Sequence, residues 1–100
     1  MNNEKRNIRH IVLFKLFDGV DEATELEALG LLKQLGENNN NILSWTVERS
    51  LDTRKGVVII ENSLFKNTAS LQEFRHSAKH AEVSGFMKQI SAWLVGDYEV

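Results

Sequence analysis

The sequence predicts an α+β fold of the ferredoxin-like kind, β-α-β-β-α-β, whose four-stranded antiparallel sheet carries its helices on one face. Two observations carry this expectation. The apolar pattern changes from strand period to helix period and back twice along the chain, and the link between the second and third strands is too short for a crossover helix. A third observation bounds it: 100 residues, 42% of them apolar, supply the core of one domain and leave no chain for a second.

The first strand is expected over 8–16. Ile8, His10, Val12, Phe14 and Leu16 alternate with Arg9, Ile11, Leu13 and Lys15, so the strand is apolar on both faces at its centre. Asp18-Gly19 marks a turn. Asp21 is placed to cap a helix over 22–35, where Ala23, Leu26, Leu29, Leu32 and Leu35 recur at helical spacing until Gly36. The run Asn38, Asn39, Asn40 and Asn41 favours a loop, because these amides compete for nearby backbone groups and asparagine tolerates positive φ. A second strand follows over 42–51, with Leu43, Trp45, Val47 and Arg49 alternating against Ser44, Thr46 and Glu48. A hairpin-like link ends at Lys55-Gly56, and the third strand spans 56–64. Asn67 or Thr68 caps a second helix bearing Leu71 and Phe74. After a break near 76–80, Val83, Phe86, Met87 and Ile90 continue helically, and the last strand covers 92–100.

Composition excludes several classes of function. Twelve basic against fourteen acidic side chains leave a formal charge of −2, with no cationic excess for a phosphate backbone, so nucleic acid is not an expected partner. Without cysteine there are no disulfides, thiolate metal sites or cysteine nucleophiles. No apolar run approaches the length of a membrane span, and the polar N-terminus lacks a signal-like stretch. The expectation is a cytoplasmic chain with no membrane association, a tail over 1–7 and the domain over 8–100. The six glycines are dispersed rather than gathered into a phosphate loop, and no serine lies in G-x-S-x-G, so no nucleotide and no acyl-serine chemistry is expected.

The face opposite the helices needs a cover. Ile11 and Leu13 would meet water in a monomer, which predicts a homodimer through the open sheet face, with Trp45 or Trp93 as an anchor near the interface.

The segment from Ile8 to Lys15, Gly56 at the third strand, the Phe74 to His80 segment followed by Ala81-Glu82-Val83, and terminal Asp97-Tyr98-Glu99 fall in one recognisable order. In these features the chain resembles the stress-responsive A/B barrel family, the dimeric α+β barrel or Dabb domains, over about 8–100. The resemblance implies a homodimer whose two sheets close a barrel with helices outside. Some members are stress-associated plant proteins, and one resembles a polyketide cyclase that acts on a linear tetraketide. The histidines that this cyclase uses in its first strand and after its second helix match His10 and His80. Its tyrosine corresponds to Phe74, which has no hydroxyl to give. Its His-Pro pair is replaced by Ser77-Ala78, and its third-strand histidine by Ile59.

The resemblance therefore implies a small, largely apolar pocket walled by Val12 and Phe74, with His10 and His80 as candidate catalytic residues and no cofactor. A small apolar, aromatic or polyketide-like molecule would be its ligand. His10 has two readings, a pocket acid/base or a structural histidine satisfied by a neighbour. The rival for the whole protein is a non-catalytic, stress-associated assembly. His76 and His80, four apart, would share a face only on an unbroken helix, and no metal site is expected from them. Glu61, in the middle of the third strand, is expected to point outward at a strand edge rather than to act as a pocket acid.

Overall fold

The computed structural model describes residues 6–100 of the chain, so the first five residues of the expected tail lie outside the described residues. Its element order is β1 (Ile8–Leu16), α1 (Glu22–Leu35), β2 (Ile42–Arg49), β3 (Val58–Phe65), α2 (Thr68–Arg75), α3 (Ala78–Ile90) and β4 (Ser91–Glu99). The strands lie in the order β2-β3-β1-β4 and every neighbouring pair is antiparallel, the ferredoxin-like arrangement that the period switches predict. A β-bulge between Ile42 and Ser44 leaves Leu43 without a partner in the ladder and exposed.

Local chemistry sets the boundaries. Asp21 caps α1 by accepting from the Thr24 amide at 2.8 Å, and Asn67 rather than Thr68 caps α2, accepting from the Ser70 amide. The break between α2 and α3 is a capped one. Ser77 accepts from the His80 amide, which starts α3 three residues before the apolar period alone suggests. His80 thus sits in the first turn of α3, whereas His76 ends α2 with its ring nitrogen on the Gln72 carbonyl, so the two belong to different helices. Asn38 holds the positive φ of the asparagine loop and Gly56 that of the β2–β3 link. Gly36 has a different reason to be glycine: a Cβ there would lie 2.2 Å from the Trp45 ring, whose Nε1–H donates to the Leu32 carbonyl.

All three helices cover one face. The core beneath them gathers Val12, Phe14, Leu32, Val47, Ile59, Phe65, Phe74 and Met87. The register of β1 with β3 and β4 places His10 opposite Ser63 on one side and Asp97 on the other, with all three side chains under the helices. Two expectations are corrected at this level. Glu61 stands on the interior strand β3, on the helix side between Val12 and Val47, and is 3% exposed, so it is no edge residue. The misreading has a simple origin, since β3 is apolar at both sets of alternate positions and its pattern does not say which set faces inward. Trp45 and Trp93 also lie on the helix side, against Phe74 and Phe14 respectively, so neither side chain anchors the open face. That face carries Ile11, Leu13, Ile60 and Leu94 instead.

Candidate functional site

His10 is the centre of a buried polar group built by three strands and a helix. Its ring is 3% exposed and meets Phe65 and Phe74 edge-on. Nδ1 lies 2.6 Å from Asp97 Oδ1, and Asp97 Oδ2 is held by the Arg75 guanidinium from the end of α2. A carboxylate paired with arginine accepts, so Nδ1 carries the proton and Nε2 keeps its lone pair. Ser63 fixes the strand beneath by donating to the His10 carbonyl at 3.1 Å. Burial lowers the pKa of His10, against the opposing pull of the Asp97 hydrogen bond and charge.

On the other side of the ring, Glu61 Oε1 stands 3.7 Å from Nε2, beyond hydrogen-bond length. Burial pushes the Glu61 carboxyl up to about 7. His80, half-buried, meets Phe74 edge-on at 5.0 Å between ring centres, and its Nδ1 lies 3.3 Å from Ser84 Oγ. Desolvation lowers its pKa first, with the nearby His10 and Arg75 adding to the effect.

The two candidate histidines thus lie on the same side of the sheet, and the ring of Phe74 touches both. Phe74 also lines a cleft of about 640 Å³ running past Leu35, the asparagine loop, Ser70, Ser77 and Lys79. Of the expected pocket residues only Phe74 is in the lining of that cleft; His10, His80 and Val12 are not, and Val12 is packed into the core between His10 and Phe14. A second cleft, of about 240 Å³, opens over Arg75 and Asp97, on the outer side of the His10 network. Two members of this network, Asp97 and Arg75, were given no role by sequence reasoning. The signal for Asp97 is its place: β1 and β4 are neighbours in a ferredoxin-like sheet, and an acid third from the end of β4 falls opposite the third residue of β1.

Residues 8–100 match the family described as the stress responsive A/B barrel domain. The chain belongs to that family. An uncharacterized protein of Streptomyces coelicolor is 27% identical over 95 residues, covering 92% of this chain and 98% of that protein. Among solved structures, a dimeric ferredoxin-like protein of unknown function from Thermobifida fusca superposes with a TM-score of 0.86 at 13% identity, covering 100% of this A/B barrel chain and 96% of its own. The hydroxynitrile lyase of Passiflora edulis gives 0.80 at 18% identity, with 96% and 94% covered. At these identities the likeness is one of fold. No helix among the described residues of the A/B barrel is long and apolar enough to cross a membrane.

Proposed function

We propose that this A/B barrel protein is a homodimer that binds a small apolar or aromatic carbonyl compound beside Phe74 and moves protons on it with His10 and His80, without a cofactor. The observation that carries the reading is the clamp on His10, a buried imidazole whose Nδ1–H is fixed on Asp97, itself fixed by Arg75. That arrangement selects one tautomer and orients Nε2 as the proton-accepting atom. The His10 ring is buried behind Phe74, so Phe74 must swing aside from the cleft for an enolisable substrate to reach Nε2, which then takes the proton next to the carbonyl. The positive charge then formed on the ring is stabilised by Asp97. In this reading His80, which meets Phe74 edge-on, donates to the developing oxyanion. Phe74 supplies an apolar wall where the one cyclase-like member that the sequence resembles has a hydroxyl, which favours less polar ligands. The fold is one on which a hydroxynitrile lyase is built and for which dimeric relatives are described.

The burial of the His10 ring between Phe65 and Phe74 favours a second reading, in which the network is structural and the protein a non-catalytic assembly. A thermal-shift and turnover screen of aromatic and enolisable carbonyl compounds separates the two. The catalytic reading expects saturable stabilisation by a compound that is turned over, with His10→Ala slowing turnover by about 10²- to 10⁴-fold while the dimer persists. Equal turnover by the variant, or no stabilising compound, favours the structural reading.

A further inference from the structure

The proton transfer outlined above leaves one buried acid unused. Glu61 reaches toward His10 from β3 while Asp97 reaches it from β4, so the imidazole stands between two carboxyl groups that differ in their surroundings. Asp97 is 28% exposed at its side chain and carries the Arg75 guanidinium; Glu61 is 4% exposed at its side chain and faces Nε2. Among the described residues, the charged and titratable groups that the neighbouring elements present are paired elsewhere or stand apart from Glu61. From β2, Arg49 is tied to Glu25 of α1 at 2.9 Å; from α2, Arg75 is tied to Asp97 of β4; from α3, His80 stands beyond Phe74. His10, from β1, is the titratable group that faces the Glu61 carboxyl at 3.7 Å.

We infer that Glu61 is the internal proton partner of His10, a positioning residue that shares one proton with Nε2 inside the buried pair and, when it holds that proton itself, leaves Nε2 free to accept another. The inference rests on the reading of His10 as a proton-transfer group. In the step itself the Glu61 O–H bond breaks and an Nε2–H bond forms, leaving a carboxylate beside an imidazolium whose Nδ1–H stays on Asp97. The reverse step restores the starting pair, so no outside reactant is needed. Closing the gap from 3.7 Å to hydrogen-bond length takes a movement of under about 1 Å, within the reach of a glutamate side chain. Two environments on the two sides of one ring are what separates a proton-storing acid from an orienting one. The Glu61 carboxyl, raised to about 7 by burial alone, is at the level that makes such storage effective near neutral pH.

The test uses the intact protein and no substrate. Carboxyl-carbon and ring-nitrogen resonances of Glu61 and His10 are followed by NMR from pH 5 to 9. The expected result is a Glu61 midpoint near 7 with the His10 ring nitrogens inflecting at the same midpoint. In Glu61→Gln that inflection disappears, and Glu61→Asp restores it. A Glu61 midpoint in the ordinary carboxylate range, a His10 ring that stays flat through the Glu61 titration, or an inflection unchanged in Glu61→Gln would overturn the pairing. A paired titration in a protein that turns over nothing would instead leave the pair standing and remove the catalytic reading.

Discussion

Beneath the helices, Val12, Phe14, Ile59 and Phe65 are sealed from water together with His10, Glu61 and Ser63, whereas on the reverse of the same sheet Leu13 remains 42% exposed and Leu94 75%. Hydropathy does not distinguish the two sides, since β1 and β3 are apolar on both. What differs is the cover. The helix side is packed around a polar group in which Asp97 holds the His10 ring and Ser63 donates to the His10 carbonyl, and an apolar reverse side of this extent is what a second copy would close. On the proposed function, the chemistry belongs to the side that folding completes and the association surface to the side that it leaves unfinished.

The largest effect is expected on the sealed side. Phe65 is fully buried, so Phe65→Ala should cost about 3 to 5 kcal/mol in chemical denaturation, a large part of the stability of a domain this size. Leu13→Asp should do the opposite kind of damage. With the side chain already 42% exposed, the subunit should keep its fold by circular dichroism, while sedimentation should show dimer affinity weakened at least ~100-fold by a charge buried without a partner. A similar loss of fold in both variants would erase the distinction between the faces.

The buried acid sharpens the comparison through pH. The folded-state pKa of Glu61 is raised from 4.5 to about 7, so its favourable contribution is complete below 4.5 and is lost as pH rises through 7. His10 works the other way. Its folded pKa is lowered from 6.5, so stability is lost as pH falls below 6.5, where the unfolded chain takes up a proton that the folded chain refuses. Glu61→Gln removes the first effect and leaves the second. Its stability should therefore rise between pH 5 and 8 and exceed that of the parent at pH 8 by on the order of 2 to 3 kcal/mol, as read from urea midpoints at each pH. The smallest effect belongs to the rim of the helix side. Gly36→Ala pushes a methyl group into the Trp45 ring and should cost about 1 to 2 kcal/mol, with the fluorescence of Trp45 shifted as the ring moves.

The fold was legible because its signals are local. Asp21 and Asn67 cap the helices, Asn38 and Gly56 hold positive φ, and the period changes where the elements change. Placing His10 under the helices required only the alternation of β1. The rest of the site depends on pairing across distant strands. Asp97 and His10 stand 87 positions apart in the sequence, and Arg75 reaches Asp97 from another element, so neither contact leaves a trace in local pattern. Glu61 was misplaced for the same reason: the face of a strand apolar on both sides is decided by its neighbours rather than by its own sequence.

Whether Asp97 fixes the tautomer of His10 and leaves Nε2 to accept a proton is read directly from the ring-nitrogen chemical shifts of His10 at pH 8. An Nδ1–H coupled through its hydrogen bond to Asp97 and an unprotonated Nε2 are expected, a state that Asp97→Asn should disturb. A proton found on Nε2 with Nδ1 bare would rule that clamp out.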